Sequence, residues 1–415
     1  MTGGALAERM TRVARARSWW WPASLASATF VIFTLIVWRR IEVDLGTYLM
    51  GGAHAFSPSL YRMLYPPTGL GFTYPPFPAL LFAPFSHLPL RVDTVAFTWL
   101  GLAAVFGLLA VSLRATAPAL DRRTVLWWAL GLVGPAVLLA PVRETLTFGQ
   151  VNLILALAVV ADMTMDLPVP RGILVGLAAA VKLTPAVLIP YLFLTRRIKA
   201  GWTALAAFAG AGLLSAAATP RAFWAYWTHD AWAPGRAGPL AFVGNQGVVG
   251  VLERLLDHPL STGTTFAVVL AVSAVGLAVG TAAHRRSWAV LGLIVMEATD
   301  ALASPVSWDH HYVWIILLIS WLALGADRPA HGIWWSGVVA VTFWAAPIWW
   351  VPHGHDVRIA GHGWSLPLAN FFFLVLVTVV AATAVHVARA GRGDPPDRAG
   401  SRPWPPTPAA RPSGG

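Results

Sequence analysis

The chain alternates long apolar runs with short polar and basic segments. Residues 19–38, 92–113, 262–283 and 367–388 form the clearest runs, and each reaches or approaches the roughly 20 residues that carry a helix across a bilayer. The alternating pattern of a membrane β-barrel is missing from the sequence, and lipid offers no hydrogen bonds to open strand edges. The pattern therefore predicts an all-α, polytopic bundle of transmembrane helices.

The amino-acid composition indicates a membrane protein and argues against nucleic-acid binding and cysteine-based chemistry. Hydrophobic residues make up 57% of the 415 residues and charged residues only 11%, with a mean hydropathy of +0.64, which is more apolar surface than a soluble globule can bury. The net charge of +11 reflects basic residues clustered between apolar runs, which indicates membrane topology rather than nucleic-acid binding. The absence of cysteine excludes disulfides, thiolate catalysis and cysteine metal sites, but it does not identify a compartment.

The basic clusters predict which segments face the cytoplasm. Residues 1–18 are arginine-rich, and the first apolar run that follows is of spanning length without a convincing cleavage site, so we expect a retained first span. Both termini are then cytoplasmic. The later clusters expected on the inner side are Arg114 to Arg123, Arg171, Arg196 to Lys199, His284 to Arg286, Arg328, and Arg389 to Arg398.

Residues 172–195 are the difficult segment of this topology. Basic residues on both sides require the segment to leave and return to the same face, yet it is too short for two full crossings. A re-entrant pair of short helices meeting around Lys182 to Pro185 would solve this, and one ordinary span with Arg171 outside is the alternative. Residues 19–388 then hold about 10 to 12 transmembrane helices. The Pro-, Arg- and Gly-rich tail, residues 389–415, is predicted to be disordered.

Most of the remaining titratable groups fall on the outer side of this topology. The first outer loop, residues 39–91, begins with Asp44 a few residues beyond the first span. A carboxylate at that position could act as a general base toward an acceptor hydroxyl. Tyr48, in the same DLGTY stretch, is a candidate contact to sugar or acceptor. Glu42 is a rival for the base, and a solvated loop aspartate is the simpler alternative for Asp44.

The sequence SPVSWDHHYVW supplies a second candidate group, Trp308, Asp309, His310 and His311. Two histidines after an aspartate could bind a phosphate, contact a sugar or ligate a metal. Neighbouring helical residues point about 100° apart, so one ion held by both histidines is disfavoured, and we expect no metal site. Asp309 could equally be a helix N-terminal residue facing the macrodipole. The later HGHDVRIAGHGW stretch offers no further identifiable ligand.

Two cations lie near the outer ends of apolar segments. Arg143 and Lys182 stand where the phosphate of a lipid-linked sugar could bind, although snorkelling or an Arg143–Glu144 ion pair would also explain them. Three amides are candidate sugar contacts, and hydrogen bonding between helices is the more frequent explanation for such residues. These amides are Asn152 in GQVN and the neighbours Asn245 and Gln246 in GNQG.

Several stretches together resemble glycosyltransferase family 87. They are DLGTY with the downstream LYPP and FTYPPFPALLFAPF, then FGQVNLILALAVVAD, VKLTPAVLIPYLFL and SPVSWDHHYVW. They occur in order across residues 44–325, and SPVSWDHH is the best single marker. This family consists of polyprenol-phosphate-mannose-dependent α-(1→2)-mannosyltransferases of actinobacteria, and the resemblance implies the same activity here. Residues 219–244 match no family motif, and the chain beyond residue 330 resembles the family only in its apolar character and a histidine-rich outer loop.

The resemblance implies a GT-C fold with an outward-facing cavity and an acidic residue of the first outer loop as the catalytic base. Asp44 matches that position. The resemblance also implies one inverting displacement, from a β-linked lipid donor to an α-linked product, with no metal and no cofactor. Arg143, Lys182, His310 and His311 are then candidates to bind the donor phosphate. The sugar or acceptor candidates are Tyr48, Asn152, Asn245, Gln246, Trp308 and Asp309.

The expected partners follow from the resemblance. They are a polyprenyl-phosphate-mannose donor, a glycolipid or lipoglycan acceptor and the lipids of the bacterial plasma membrane, with the active site on the outer side and no nucleic acid. The acceptor stays open among phosphatidylinositol mannosides, lipomannan or lipoarabinomannan backbones and other glycans. An arabinose transferase that uses decaprenyl-phosphate-arabinose is the alternative within enzymes. A lipid or sugar transporter is the alternative class, although it should place charges near the membrane midplane.

Overall fold

A computed structural model describes residues 2–38, 43–353 and 364–390. Glu42, most of the histidine-rich stretch after His353 and the tail beyond Ala390 lie outside these residues. Nearly all of the described chain is helical or in turns, as the apolar pattern predicted. Two strands of the described chain, β1 (Leu64–Tyr65) and β2 (Leu70–Gly71), form a short antiparallel hairpin in the segment that follows the first span.

The α-helices follow one another with short connections. They are α1 Gly3–Ala16, α2 Trp20–Trp38, α3 Val43–Ala53, α4 Pro76–Phe82, α5 Leu90–Thr116, α6 Arg122–Ala136, α7 Ala140–Phe148, α8 Asn152–Thr164, α9 Ile173–Val181, α10 Leu188–Leu194, α11 Ile198–Ala218, α12 Pro220–Thr228, α13 Val248–Leu256, α14 Thr262–Arg285, α15 Ala289–Ala303, α16 Ile315–Leu324, α17 Gly332–Ala345, α18 Ser365–Ala369 and α19 Phe371–Ala390. Short 3₁₀ turns lie at Leu60–Arg62, Phe85–His87, Thr184–Val187, Asp230–Trp232, Pro234–Ala237, Asp309–Trp314 and Pro347–Trp350.

Five helices of the described chain are long and apolar enough to cross a membrane: α2, α5, α11, α14 and α19. A sixth span results if α6 and α7, which meet at an angle of 79°, count as one broken span. The long helices keep large apolar side chains on the outside of the bundle, including Trp20, Leu213 and Leu270. Such a surface fits a lipid environment. The structure thus supports a multi-span helical membrane protein, with fewer full-length spans than the sequence count suggested.

The difference from that count comes from broken helices. Apolar segments such as α8 and α16 contain only 13 and 10 residues, well below the length of a full crossing. Residues 172–195 are also interrupted, because α9 ends at Val181 and Lys182 adopts an extended conformation before the next 3₁₀ turn. Non-helical backbone at such a depth is tolerated where it lines a cavity or is covered by protein.

Two hydrophobic clusters stabilise the bundle. The large one is centred on residues such as Leu108, Ile294 and Leu317 and joins most of the long helices. The smaller one includes Leu45 and Phe72, and it packs the segment of residues 43–83 against the start of α8 and against α12. The residues that follow the first span therefore form an ordered unit with its own apolar contacts, at one end of the bundle.

Candidate active site

Asp44 lies in the first turn of α3, at the edge of the smaller hydrophobic cluster. One turn later, the hydroxyl of Tyr48 donates a hydrogen bond to Gln150 Oε1 at 2.6 Å, and the hydroxyl of Tyr74 donates to the same oxygen at 3.2 Å. Because the Gln150 carbonyl accepts both bonds, its amide nitrogen is left to face the Asp44 carboxylate, with which Gln150 interacts. Two tyrosines thus orient the amide that contacts Asp44.

The surroundings of Asp44 act on its pKa in opposite directions. Burial raises the pKa of Asp44, whereas the charge of His310, the Gln150 hydrogen bond and the charge of Lys182 lower it. Burial is the largest of these effects, so the pKa of Asp44 is raised overall, and the three interactions limit that rise. Burial also raises the pKa of Tyr48 and of Tyr74, so both hydroxyls stay protonated and continue to donate. A carboxylate held in this way is suited to accept a proton.

Lys182 connects this carboxylate to the SWDHH turn. Its Nζ donates to Asn152 Oδ1 at 2.8 Å and lies 5.9 Å from the centre of the Tyr74 ring. The Asn152 amide in turn donates to the main-chain oxygen of His310 at 3.0 Å, and Thr145 donates to the same oxygen at 2.8 Å. The motifs FGQVN, VKLTP and SWDHH, which are far apart in sequence, therefore meet in one polar cluster.

The imidazole of His310 carries unused hydrogen-bonding capacity. The residue is only 6% exposed, yet neither ring nitrogen has a hydrogen-bond partner in the described structure. The ring packs edge-on against Phe148 and His311, with ring centres 5.4 and 4.8 Å away. Nδ1 lies 3.7 Å from Asp309 Oδ1, which is too long for a hydrogen bond. Since buried polar atoms are normally paired, ring nitrogens without hydrogen bonds near Asp44 indicate a place for a ligand. His311 lines a small cavity together with Lys182.

Asp309 and Glu144 form a buried carboxyl pair behind His310. The two side chains interact directly, and Trp349 Nε1 donates to Asp309 Oδ2 at 3.1 Å. Arg143 lies at the rim, with Nη2 3.8 Å from Glu144 Oε1, so the ion pair considered from the sequence is present. Ligand-type atoms of Glu144, Asp309 and His310 lie within 4.8 Å of one another and could hold a metal ion. One proton shared between the two carboxyl groups would also neutralise the pair.

The amides of the GNQG motif lie outside this cluster, in a layer just behind Asp309. Asn245 and Gln246 are fully buried. The Asn245 side chain donates to Leu240 O and Pro305 O at 2.9 Å each, and the Gln246 amide donates to Val243 O and Ala369 O. This geometry favours the role between helices, and a sugar contact for either residue stays a prediction.

Trp308 lies beside these amides. It is half-buried, pairs with Asn245 in an isolated β-bridge and stacks edge-on against Phe242. The main-chain nitrogen of the next residue, Asp309, donates to Gly244 O at 2.9 Å. The GNQG layer therefore fixes the backbone from which the SWDHH side chains project.

Several residues of this cluster were not singled out from the sequence. Gln150 and Tyr74 lie inside quoted motifs, but their contacts depend on the turn at Gly149, whose φ of +68° brings the chain from α7 into α8. Glu297 and Asp300 lie in the apolar helix α15 and line the cavity behind Lys182. Their signal was present in the sequence, because ionisable residues inside an apolar run are functional candidates by default.

Comparisons with known proteins identify the family of this chain. The family model of glycosyltransferase family 87 matches residues 72–305, more than half of the chain. A polyprenol-phosphate-mannose-dependent alpha-(1-2)-phosphatidylinositol mannoside mannosyltransferase of Mycobacterium tuberculosis is 32% identical over 379 residues, covering 80% of this chain and 87% of the relative. A phosphatidylinositol pentamannoside mannosyltransferase of Mycolicibacterium smegmatis, described as using the same donor and linkage, is 34% identical, covering 85% and 86%. No solved structure matches. The chain belongs to glycosyltransferase family 87 and is a glycosyltransferase.

Proposed function

We propose that the protein transfers mannose from polyprenyl-phosphate-mannose to a phosphatidylinositol mannoside, forming an α-(1→2) linkage. The named activities of the relatives support the donor, the acceptor class and the linkage. The observation that carries the mechanism is the position of Asp44, which interacts with both Lys182 and His310, the residue whose ring nitrogens have no hydrogen-bond partner in the described chain. A base and a phosphate-binding group thus flank one space.

The reaction in this space is a single displacement with inversion at the sugar. The Asp44 carboxylate accepts the proton of the acceptor 2-hydroxyl as that oxygen attacks the anomeric carbon of mannose. The bond from the anomeric carbon to the phosphate oxygen breaks, and its electron pair leaves with polyprenyl phosphate. The β-linked donor becomes an α-linked product, and no covalent sugar–enzyme intermediate or second catalytic carboxylate is required.

Stabilisation of the leaving phosphate is assigned to Lys182 and His310. A polyprenyl phosphate leaves as an anion, so positioned donors and cations lower the barrier more than a general acid would. The His310 nitrogens have no partner in the described chain and Lys182 Nζ has donors to spare, because one bond to Asn152 uses only one of three. Arg143 at the rim and His311 in the cavity beside Lys182 are further candidates to bind the leaving phosphate.

The catalytic cluster requires no cofactor in this mechanism, and we propose that no metal takes part. The carboxyl pair of Glu144 and Asp309 then holds one proton and fixes the turn that carries His310. This proposal predicts that prolonged treatment with EDTA leaves the transfer rate unchanged. A rate that falls with EDTA and returns with Mn²⁺ or Mg²⁺ would instead assign a cation to Glu144, Asp309 and His310.

The membrane arrangement completes the proposal. Residues 1–18 would lie in the cytoplasm, and residues 389–415 would form a disordered cytoplasmic tail. Residues 19–388 would form the GT-C membrane domain of about 10 to 12 helical segments, in which residues 39–91 are the first outer loop. The active site would then face the outer side of the bacterial plasma membrane. Phosphate-linked donors and glycolipid acceptors both reach such a site from the lipid phase.

The test is transfer of labelled mannose from polyprenyl-phosphate-mannose to phosphatidylinositol mannosides by membranes that contain the intact protein. Asp44→Asn should lower the rate by about a thousandfold or more while the protein accumulates normally, because the amide cannot accept the proton. The control is Asp166→Asn, which changes an exposed carboxylate paired with Arg171 at 2.7 Å and should leave the rate unchanged.

The donor is tested in the same assay. Transfer from decaprenyl-phosphate-arabinose without transfer from the mannose donor would replace the sugar and keep the mechanism. Retention of full mannose transfer by Asp44→Asn would overturn the assignment of the base. Absence of transfer from either donor would overturn the proposed donor class.

A further inference from the structure

Two acidic side chains in the apolar helix α15 are not used by the proposed reaction. Glu297 and Asp300 are three residues apart, so they lie on the same face of the helix. Glu297 is 7% exposed, and one oxygen of each carboxyl group is buried without a hydrogen-bond partner in the described structure. Unpaired acidic groups in an apolar helix are costly, so a role for at least one of them is expected.

Both side chains line a cavity of about 40 Å³ that lies directly behind Lys182. Asn152, Thr184 and His311 also line it, together with apolar residues such as Leu155 and Val159. A cavity of this volume has room for a few water molecules, each of which needs little more than 10–15 Å³, and the polar side chains in its wall can bind them. The cavity can therefore carry a hydrogen-bonded connection between its walls.

Lys182 interacts with two carboxylates. Asp300 and Asp44 are the two acidic groups whose charges act on it, with Asp300 the stronger. In the part of the chain that the structure describes, no ion pair within 4.0 Å joins Lys182 directly to a carboxylate. The interaction with Asp300 therefore acts across the cavity, and Thr184 also interacts with the Asp300 carboxyl group.

The reaction changes only one of these two charges. Asp44 becomes neutral when it takes the acceptor proton, at the moment when the phosphate of the donor needs a cation. Asp300 lines a cavity together with Lys182 and takes no part in the displacement, so the displacement itself does not change its charge. A constant counter-charge keeps the ammonium group ionised and oriented toward the site.

We propose that Asp300 is a positioning residue that holds Lys182 at the donor phosphate through the water-sized cavity between them. The inference rests on the proposed function, because it assigns Lys182 to the phosphate. Glu297 is one turn away in the same wall and experiences the charge of Asp300, but it is not among the groups whose charges act on Lys182. Glu297→Gln is therefore the matched control for Asp300→Asn.

The kinetic test compares both variants with the intact protein in the mannose-transfer assay. Asp300→Asn should lower kcat/KM for the lipid donor about tenfold or more and leave the KM for the acceptor unchanged, and Asp300→Glu should recover part of the loss. Glu297→Gln should retain wild-type kinetics. Equal losses in Asp300→Asn and Glu297→Gln, or a change confined to the acceptor, would overturn the positioning role.

A double-mutant cycle shows whether Asp300 acts through Lys182. In a Lys182→Met background, Asp300→Asn should cause no further loss of the residual rate, because its partner is already gone. The cycle is also measured on thermal stability, a readout that does not depend on activity. Asp300→Asn leaves the Lys182 ammonium group without its counter-charge, so adding Lys182→Met should restore the stability that Asp300→Asn removes. Additive effects in this stability cycle would overturn the pairing. Coupled stability with full activity of Lys182→Met would instead contradict the proposed phosphate role.

Discussion

Two polar layers lie next to each other in this protein, and they differ in how fully their hydrogen bonds are satisfied. In the GNQG layer, Asn245 and Gln246 use their amide groups on main-chain oxygens and nitrogens. In the neighbouring candidate cluster, both ring nitrogens of His310 and one oxygen of Glu144 have no hydrogen-bond partner among the described residues. Polar groups that the fold has paired stabilise the structure, whereas buried groups left unpaired are available to a substrate. The contrast separates structural from functional residues within one motif-rich region.

Substitution of His310 should produce the largest separation between activity and stability. His310→Ala removes two unpaired nitrogens, so we expect the transfer rate to fall by about a hundredfold or more with little change in melting temperature. The backbone should keep its place, because Thr145 and Asn152 bind the main-chain oxygen of this residue rather than its ring. Initial rates and thermal unfolding of the same preparation check this. A large drop in melting temperature would place His310 with the structural layer.

Substitution of Asn245 should give the opposite result. Asn245→Ala leaves several buried backbone groups without partners, so we expect a loss of stability of about 2 kcal/mol or more. The transfer rate per folded molecule should stay close to that of the intact protein, because the side chain does not reach the catalytic cluster. Thermal unfolding and rates normalised to folded protein are the measurements. A normal melting temperature with a lost rate would return Asn245 to the sugar-binding candidates.

Gln150 lies between the two classes, and its removal should cause the smallest change. The hydrogen bond from Gln150 lowers the pKa of Asp44, so Gln150→Leu should raise that pKa. Asp44 accepts a proton only when ionised, and activity falls as pH decreases through its pKa. The acidic limb of kcat/KM should therefore move to higher pH in the variant. Tyr61→Phe is the control, since Tyr61 donates to the main chain of Tyr74 and not to this network. An unmoved acidic limb in Gln150→Leu would show that another group controls it.

The sequence predicted the helical membrane class and singled out several residues that the structure brings together in the candidate cluster. Asp44, Asn152, Lys182 and His310 were separate motif residues, and the structure brings them together because each motif lies at a helix end or a helix break. Gln150 was not selected, since its contact depends on the backbone turn at Gly149 and on two distant tyrosines. Hydrogen-bond partners of that kind require knowledge of tertiary packing.

The number of spans was harder to predict, for a physical reason. Counting apolar segments assumes helices that cross the bilayer in one piece. Here α6 and α7 meet at 79°, and Pro135 and Pro141 flank that bend. Pro185 predicted a break near Lys182. The structure adds that the break brings the Lys182 ammonium group to Asn152 in the candidate site. Glu297 and Asp300 were visible as charges in an apolar run, but their significance depends on the cavity they share with Lys182.

The smaller hydrophobic cluster has a consequence for the spacing of the candidate site. Asp44 lies in the segment of residues 43–83, whose apolar side chains form most of this cluster, and Val151, Val181 and Ala222 from later in the chain pack with them. Val181 directly precedes Lys182, so the same apolar contacts join the segment of the candidate base to the helix break of the candidate phosphate-binding lysine. The distance between the two groups is therefore set by packing, and a change in the volume of these apolar side chains alters it without touching either group.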